Sequence, residues 1–336
     1  MRYGYWMPVF GGWLRNVADE GMEASYAYCR DLAQRAEAIG FDLTLIAELY
    51  LNDIKGRGAP ALDAWSLAAA IAAVTERQEI MVAVRPNFHQ PGPFAKMAAT
   101  IQEIAAGRLS LNVVSSWWAG EAKQYGLQFD EHDNRYARTA EWLDVVDGLW
   151  TEDVFDHAGR NYTLERAQLS PKPSPVPLKY AGGESDAAKT LIAQKCDAYV
   201  MHGDMPDVVA PKVADMMSRR EQAGKPPMTF GMAAYAIVRD SETEAQRELD
   251  RILEVKDLPP GYDNFDEWLS GTQLERELKI REYSVSNRGL RPNLVGTPEQ
   301  LKQRIADFAG AGVDLLLLQM SPQREEMERF AAQVIG

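Results

Sequence analysis

Polar and aromatic side chains follow one apolar run of strand length, residues 109–114. Such a run is typical of a buried parallel strand, which delivers side chains to a ligand at its carboxyl end. Asn112 offers an amide donor and acceptor, and Ser115 offers a hydroxyl. Trp117 and Trp118 supply flat apolar walls, although core packing is an equal alternative for them. These residue types favour the binding of a planar ring with polar edges.

A second polar segment, residues 182–185, joins a predicted strand to a predicted helix. Gly182 and Gly183 expose backbone N–H groups that, with the Ser185 hydroxyl, can receive a phosphate, helped by the helix dipole. An ordinary glycine-rich turn is the alternative interpretation. Glu184 suits a phosphate site only if its carboxylate points away, because two negative charges repel each other.

Alternating strand and helix patterns must position these groups. The predicted strands are residues 2–8, 41–47, 79–84, 109–114, 178–181, 197–201, 228–238 and 313–319. Helical patterns separate most of them, which indicates a parallel sheet with right-handed crossovers. Eight such strands predict a (β/α)8 TIM barrel. A length of 336 residues with no evident linker favours a single domain, 1–336.

In such a barrel the active site lies just past the carboxyl ends of the strands. This rule selects Glu48, Arg85, Asn87, Asn112, Ser115, Trp117, His202 and Tyr235. Beyond the fourth strand, the segment His132-Asp133-x-Arg135-Tyr136 precedes an amphipathic helix, for which Asp133 is the predicted N-terminal cap. A small hairpin is predicted at residues 155–162.

Three motifs carry a resemblance that covers nearly the whole chain: residues 112–117, the segment His132-Asp133-x-Arg135-Tyr136, and residues 181–188. In this order they make the chain similar to the bacterial-luciferase-like group of two-component flavin monooxygenases, nearest the branch of alkanesulfonate and dimethyl sulfone monooxygenases. The resemblance implies an enzyme that uses FMN as FMNH₂, supplied by a separate NAD(P)H:flavin reductase. With O₂ it would oxidise a small organic substrate, such as a sulfone or a sulfonate.

Topology and resemblance together give roles to individual residues. The expected cofactor-binding residues are Asn112, Ser115, Tyr136, Gly182, Gly183, Glu184 and Ser185, and the resemblance implies that Tyr136 lies against the flavin. The expected substrate pocket comprises Trp6, Glu48, Trp117, Trp118 and His202. The catalytic candidates are Arg85, Asn87, His89, Tyr235 and Arg291. Of these, Arg85, Asn87 and His89 would form hydrogen bonds to peroxide or substrate.

The predicted seventh strand departs from the sulfonate-specific members of the group. Those enzymes carry an arginine and a histidine two residues apart on this strand, where this chain has Ala233 and Tyr235. A cation that would pair with a sulfonate is missing from that wall, so the expected substrate is neutral or depends less on a strong ion pair. Arg85 or Arg291 remains an alternative source of the charge.

Two other functions are compatible with the same fold. One is an F420-dependent oxidoreductase, which transfers hydride without oxygen. The other is a non-catalytic flavoprotein, which the richly functionalised strand ends disfavour.

Composition excludes several further classes. A net charge of −13 and a pI near 4.9 argue against nucleic-acid binding, which needs clustered cations. The four histidines lack metal-ligand spacing, so no metal site is expected. Hydrolase and phosphate-loop motifs are absent, which argues against a hydrolase or a kinase. Cys29 and Cys196 are predicted to be buried thiols. No signal or transmembrane segment is recognisable, which predicts a cytoplasmic protein without a membrane partner.

Residues 256–293 do not fit a barrel helix, because the segment is polar and contains Pro259-Pro260-Gly261. Its position after the seventh strand predicts an insertion over the active site, a lid that closes when reduced flavin is bound. An ordered surface excursion used in subunit contacts is the alternative. A homo-oligomer, either a dimer or a tetramer, is also expected.

Overall fold

Eight parallel strands close into a barrel in the computed structural model, which describes residues 1–254, 259–265, 282–285 and 289–336. The strands are β1 Arg2–Trp6, β2 Leu43–Ile46, β3 Glu79–Val84, β4 Leu109–Val113, β5 Phe155–Ala158, β6 Thr163–Ala167, β7 Leu178–Ala181, β8 Ala198–Met201, β9 Thr229–Val238, β10 Leu294–Gly296 and β11 Leu315–Gln319. Around the barrel the order is β1-β2-β3-β4-β7-β8-β9-β11, and β11 pairs with β1. The predicted (β/α)8 fold is confirmed. The predicted hairpin is also present as β5 and β6, outside the barrel.

Helices surround the barrel. They are α1 Tyr26–Ala38, α2 Ala64–Ala72, α3 Pro91–Ile104, α4 Ala119–Gln124, α5 His132–Thr151, α6 Asp186–Lys195, α7 Pro206–Gln222, α8 Glu242–Leu253, α9 Pro298–Gly310 and α10 Gln323–Phe330. The predicted Asp133 cap is wrong, because α5 begins at His132 and Glu131 occupies the cap position. Several neighbouring acidic residues are suitable caps, so the sequence left this boundary ambiguous. No helix among the described residues is long and apolar enough to cross a membrane.

Side chains that face the barrel interior form a cluster of their own. The lower interior is filled by Leu43, Leu45, Met81, Tyr180, Ala198, Leu315 and Leu317. Two residues beyond the inward-facing Met81, Ala83 on β3 is in register with Asn112 on β4. Residues in register across parallel strands point to the same face, so Ala83 and Asn112 both face inward. Asn112 is partly exposed.

Parts of the predicted insertion at 256–293 dock onto the loops that follow β1 and β2. Arg15 is buried, and its guanidinium pairs with Asp53 (Nη2 to Oδ2, 2.6 Å). The same guanidinium lies 4.0 Å from the centre of the Tyr283 ring, and its Nε donates to the Tyr283 carbonyl (3.0 Å). Leu14 forms an antiparallel bridge with Val285. Most of the segment lies outside the described residues, so the lid remains a prediction.

Candidate active site

The carboxyl ends of the strands bring the predicted site residues to one end of the barrel. Trp6 ends β1, Glu48 follows β2, and Arg85, Asn87 and His89 follow β3. Asn112, Ser115, Trp117 and Trp118 lie on or after β4, Tyr136 lies in the first turns of α5, and Gly182, Gly183, Glu184 and Ser185 join β7 to α6. His202 follows β8, Tyr235 lies on β9, and Arg291 precedes β10. The parallel topology therefore places residues from distant parts of the sequence around one opening.

A buried ion cluster occupies the rim after β2 and β3. The Glu48 carboxylate accepts a hydrogen bond from the Arg85 backbone N–H (2.8 Å), and its other oxygen lies 2.5 Å from Nε2 of His89. The Arg85 side chain is ion-paired with Glu48 (3.6 Å) and with Glu121. Burial, and then the negative charge of Glu48, raise the pKa of Tyr50 to about 12. Two carboxylates therefore surround one guanidinium.

Sequence reasoning missed Glu121, which lies in the short, unpredicted helix α4. Its side chain is fully buried, and Oε1 accepts from the backbone N–H groups of Tyr50 (2.6 Å) and Leu51 (3.2 Å). Its Oε2 accepts from the Arg85 guanidinium. The only signal in the sequence is a single carboxylate between small residues.

Arg85 is itself 2% exposed, and Phe88 covers it with a ring centre 3.8 Å from the guanidinium carbon. Two residues on, both polar atoms of the Asn87 amide are buried and have no hydrogen-bond partner among the described residues. The same holds for the indole N–H of Trp6. Buried polar groups without partners are costly, so these positions favour a ligand that satisfies them.

The amino terminus of α6 has the features of an anion site. Ser185 is the N-cap, and its hydroxyl accepts from the backbone N–H of Ala188 (3.2 Å). A hydrogen bond also links Ser185 to the Tyr136 hydroxyl, while burial raises the pKa of Tyr136. Gly183 has a φ of +159°, and a Cβ there would lie 2.5 Å from the Ala188 Cβ, so backbone and helix approach closely. The glycine thus has a packing role as well.

Glu184 is directed away from that helix terminus. Its Oε1 lies 3.0 Å from Nζ of Lys212 on α7 and 3.9 Å from Nδ1 of His202. The carboxylate is 4% exposed, so its charge is met inside the protein. A phosphate site next to Glu184 required that the carboxylate point away from the phosphate, and in the structure this carboxylate is paired with Lys212.

The two tryptophans after β4 stack on each other, with ring centres 5.3 Å apart and planes inclined by 2°. Trp118 is completely buried, which supports the packing interpretation for that residue. Trp117 is partly exposed and can contact a ligand. Arg57 lies over the Trp118 ring at 5.4 Å.

The remaining candidates are held by structural contacts. The Ser115 hydroxyl lies 3.0 Å from that of Thr139 on α5. Tyr235 is 1% exposed, and burial, followed by the charges of nearby carboxylates, raises its pKa well above the usual value. Arg291 lies 3.7 Å from the carboxylate of buried Asp204.

Possible metal ligands and the two thiols are the remaining reactive groups in the described part of the chain. No group of three or more His, Cys, Asp or Glu side chains in the described ranges could hold a metal ion. Cys29 and Cys196 are buried and free, and burial raises the pKa of each thiol to about 12. The prediction of buried thiols is confirmed, and both are unreactive for this reason.

A cavity of about 840 Å³ opens at the opposite end of the barrel, but its charged groups already have structural partners. Arg2 pairs with Glu79 (2.8 Å), and Arg108 donates to three backbone carbonyls. Glu37 accepts from backbone N–H groups in the turn before β3. These contacts join the starts of the strands, whereas the active sites of such barrels lie at the carboxyl ends.

The chain matches the family model of luciferase-like monooxygenases over residues 1–315. Similar proteins include an FMNH₂-dependent dimethylsulfone monooxygenase from Pseudomonas fluorescens strain Pf0-1, 30% identical, with 100% of this chain and 93% of that protein covered. A protein of the same name from Pseudomonas putida is 30% identical, with 100% and 94% covered. The solved structure of EDTA monooxygenase from Chelativorans sp. BNC1 is 20% identical, with a TM-score of 0.82 and coverage of 100% and 92%. That last likeness concerns the fold alone.

Proposed function

The chain belongs to the luciferase-like monooxygenase family, and from this premise we propose that it is an FMNH₂- and O₂-dependent monooxygenase of a small, uncharged organosulfur compound. A separate NAD(P)H:flavin reductase supplies the reduced flavin. Dimethyl sulfone is the leading substrate candidate, because two relatives that align along the whole chain carry that compound in their names.

The orientation of Glu184 is the observation that carries the cofactor assignment. Because Lys212 pairs with this carboxylate, the charge of Glu184 is offset and opposes an anion at the amino terminus of α6 less strongly. Ser185, the backbone at Gly183 and the Tyr136 hydroxyl lie together there, so they fit the phosphate of FMN. Backbone N–H groups and hydroxyls supply the donors, and the helix dipole adds attraction.

We place the flavin ring at the carboxyl ends of the barrel strands. The small Ala83 lies beside Asn112 there, and Asn112 offers an amide to a ring edge. Bound FMNH₂ supplies the electrons with which O₂ is activated for oxygen transfer to the substrate. Trp6 and Trp117 wall the site and exclude water.

The polar side chains after β3 bind and orient the substrate. Glu48 fixes the His89 ring through the 2.5 Å contact at Nε2, so this ring has one defined orientation. The buried Asn87 amide, which has no partner among the described residues, donates to a substrate oxygen. A sulfone has two such oxygens and no charge.

An uncharged substrate follows from the charge balance at this end of the barrel. Several cations near the opening lie beside carboxylates: Arg15 with Asp53, Lys55 with Glu20, Arg85 with Glu48 and Glu121, Lys212 with Glu184, and Arg291 with Asp204. A sulfonate would have to compete with these buried carboxylates for its counter-charge.

Oxygen-18 labelling tests the proposal. Purified protein, photoreduced FMN and dimethyl sulfone are mixed with ¹⁸O₂, and the organic product is analysed by mass spectrometry. One labelled oxygen atom in the product is expected. Substrate loss without O₂ would instead support hydride transfer, and reduced F420 in place of FMNH₂ then tests that alternative. Flavin binding without any product supports the non-catalytic flavoprotein.

Photoreduced FMN replaces the reductase in this experiment, so the delivery of reduced flavin is tested separately from oxygen transfer. Turnover with photoreduced FMN alone shows that the partner only delivers FMNH₂. A strict requirement for one reductase, at equal FMNH₂ supply, would show that the partner also acts on the oxygenase.

A further inference from the structure

Glu121 holds together two loops that border the proposed substrate site. Its Oε1 anchors the loop after β2 through the backbone N–H groups of Tyr50 and Leu51. Its Oε2 accepts from Arg85, the first residue after β3. One fully buried carboxylate thus fixes where a guanidinium stands.

Arg85 lies close to the space in which the flavin ring and substrate are placed. It follows the inward-facing Ala83 by two residues, and side chains two apart in a strand point to the same face. Arg85 therefore stands one step beyond the layer that Ala83 forms with Asn112. In the part of the chain that the structure describes, its Nε, which lies 3.6 Å from Glu48, and its terminal nitrogen Nη2 have no hydrogen-bond partner.

Charge decides what Arg85 can bind. An arginine beside a sulfur-oxygen compound would ordinarily select an anion, because its planar fork matches a sulfonate. Here Glu48 and Glu121 surround it, so the three groups carry an excess of negative charge. An anion that approaches this wall meets repulsion rather than a free cation.

We infer that Glu121 is a positioning residue which, by holding Arg85 between two carboxylates, sets the preference of the site for uncharged over anionic substrates. The inference rests on the proposed function and assigns a residue to its specificity. Glu121 itself does not touch the substrate, and it acts through Arg85.

Glu121→Gln tests the inference with a side chain of the same size. The glutamine oxygen keeps the acceptor for Tyr50 and Leu51, while its amide N–H₂ is a donor that cannot bond to the Arg85 guanidinium, so the negative charge and its hold on Arg85 are removed together. Methanesulfonate and dimethyl sulfone are suitable probes, because they differ by one charged oxygen in place of a methyl group. Dissociation constants are measured by calorimetry under anaerobic conditions with the FMNH₂-saturated enzyme.

The variant is expected to bind methanesulfonate at least about tenfold more tightly than the parent, whereas affinity for dimethyl sulfone changes by less than about threefold. Glu79→Gln is the matched control, because it removes one carboxylate from an arginine pair at the opposite end of the barrel. That control is expected to leave both constants unchanged.

The double variant E121Q/R85M tests whether Glu121 acts through Arg85. Because the guanidinium is absent, this variant is expected to lose the gain in methanesulfonate binding. An unchanged constant in Glu121→Gln, or a gain that persists in the double variant, overturns the inference. If Glu121→Gln does not fold, Glu48→Gln removes the other carboxylate and is expected to give the same gain; an unchanged constant there overturns the inference too. Failure of the parent to bind dimethyl sulfone would overturn the proposed substrate, while the methanesulfonate comparison still decides the role of Glu121.

Discussion

Ser185 ties the proposed phosphate site to the fold, because one hydroxyl caps α6 and contacts Tyr136. Replacing it with aspartate keeps a good N-cap but adds a negative charge where a phosphate needs donors. Ser185→Asp is therefore expected to weaken FMNH₂ binding by about tenfold or more, or roughly 1.4 kcal/mol, with little loss of stability. Anaerobic flavin fluorescence titration measures the change.

Ser241→Asp is the matched control for that experiment. Ser241 caps α8 with the same geometry, in which its hydroxyl accepts from the backbone N–H three residues on. Parent-like flavin affinity is expected for this variant. Equal affinity for Ser185→Asp and parent would place the phosphate elsewhere.

Asn112 faces the barrel interior beside the small Ala83 and is partly exposed. Asn112→Leu keeps the size of the side chain and removes its hydrogen bonds, so flavin-dependent turnover is expected to fall about tenfold or more. The far-ultraviolet circular dichroism spectrum is expected to be unchanged. A fully active variant would exclude this residue from the flavin site.

For individual residues, the sequence predicted which end of the barrel a side chain occupies better than it predicted which side chains are in contact. The strand-end rule brought Glu48, Arg85 and Asn87 to one rim because parallel topology depends only on the order of elements. It did not predict that Glu184 turns toward Lys212, which is 28 residues further along the chain. Side-chain direction depends on tertiary neighbours, and one sequence does not supply them.

Among the elements, long periodic segments were predictable and short ones were not. The strand bounds agree with prediction to within a few residues because buried runs such as Glu79–Val84 are almost continuously apolar. The six-residue helix α4 lacks enough residues to show a period, so Glu121 was missed along with it. The buried carboxylate that joins two loops is thus a tertiary feature.

Arg15 joins the loops after β1 and β2 to the segment before β10. Its pair with Asp53 is nearly inaccessible, with side-chain exposures of 2% and 8%. Arg15→Met would leave that carboxylate buried without its partner, so the free energy of unfolding is expected to fall by about 3 kcal/mol or more. Urea denaturation followed by circular dichroism measures this change.

Arg30→Met provides the comparison, because Arg30 pairs with Asp31 at a similar distance of 2.8 Å on the surface. Exposed pairs contribute about 0–1 kcal/mol, so this variant is expected to be close to the parent. Similar losses in the two variants would mean that the Arg15 contacts do not stabilise the fold.

In the whole molecule, contacts that stabilise the barrel lie at its amino-terminal end, and the proposed active site lies at the other end. At the amino-terminal end, Arg2, Glu37 and Arg108 bond to neighbouring structure and close the floor. At the other end, buried polar atoms of Asn87 and Trp6 have no hydrogen-bond partner among the residues that the structure describes. Exclusion of water from that end during turnover requires a cover, and we propose that the segment 256–293 provides it.

Limited proteolysis tests whether this segment acts as a lid. Trypsin sites such as Arg276 and Lys279 lie within it, and Arg160, in the exposed turn of the β5–β6 hairpin, provides an internal reference. If the segment closes over bound FMNH₂, anaerobic addition of the reduced flavin is expected to slow cleavage within 256–293 several-fold while cleavage at Arg160 continues unchanged. Arg15→Met is expected to reduce this protection, because the anchor on Tyr283 is lost. Equal cleavage with and without FMNH₂ would instead support an ordered surface excursion, and subunit contacts would then be its remaining role.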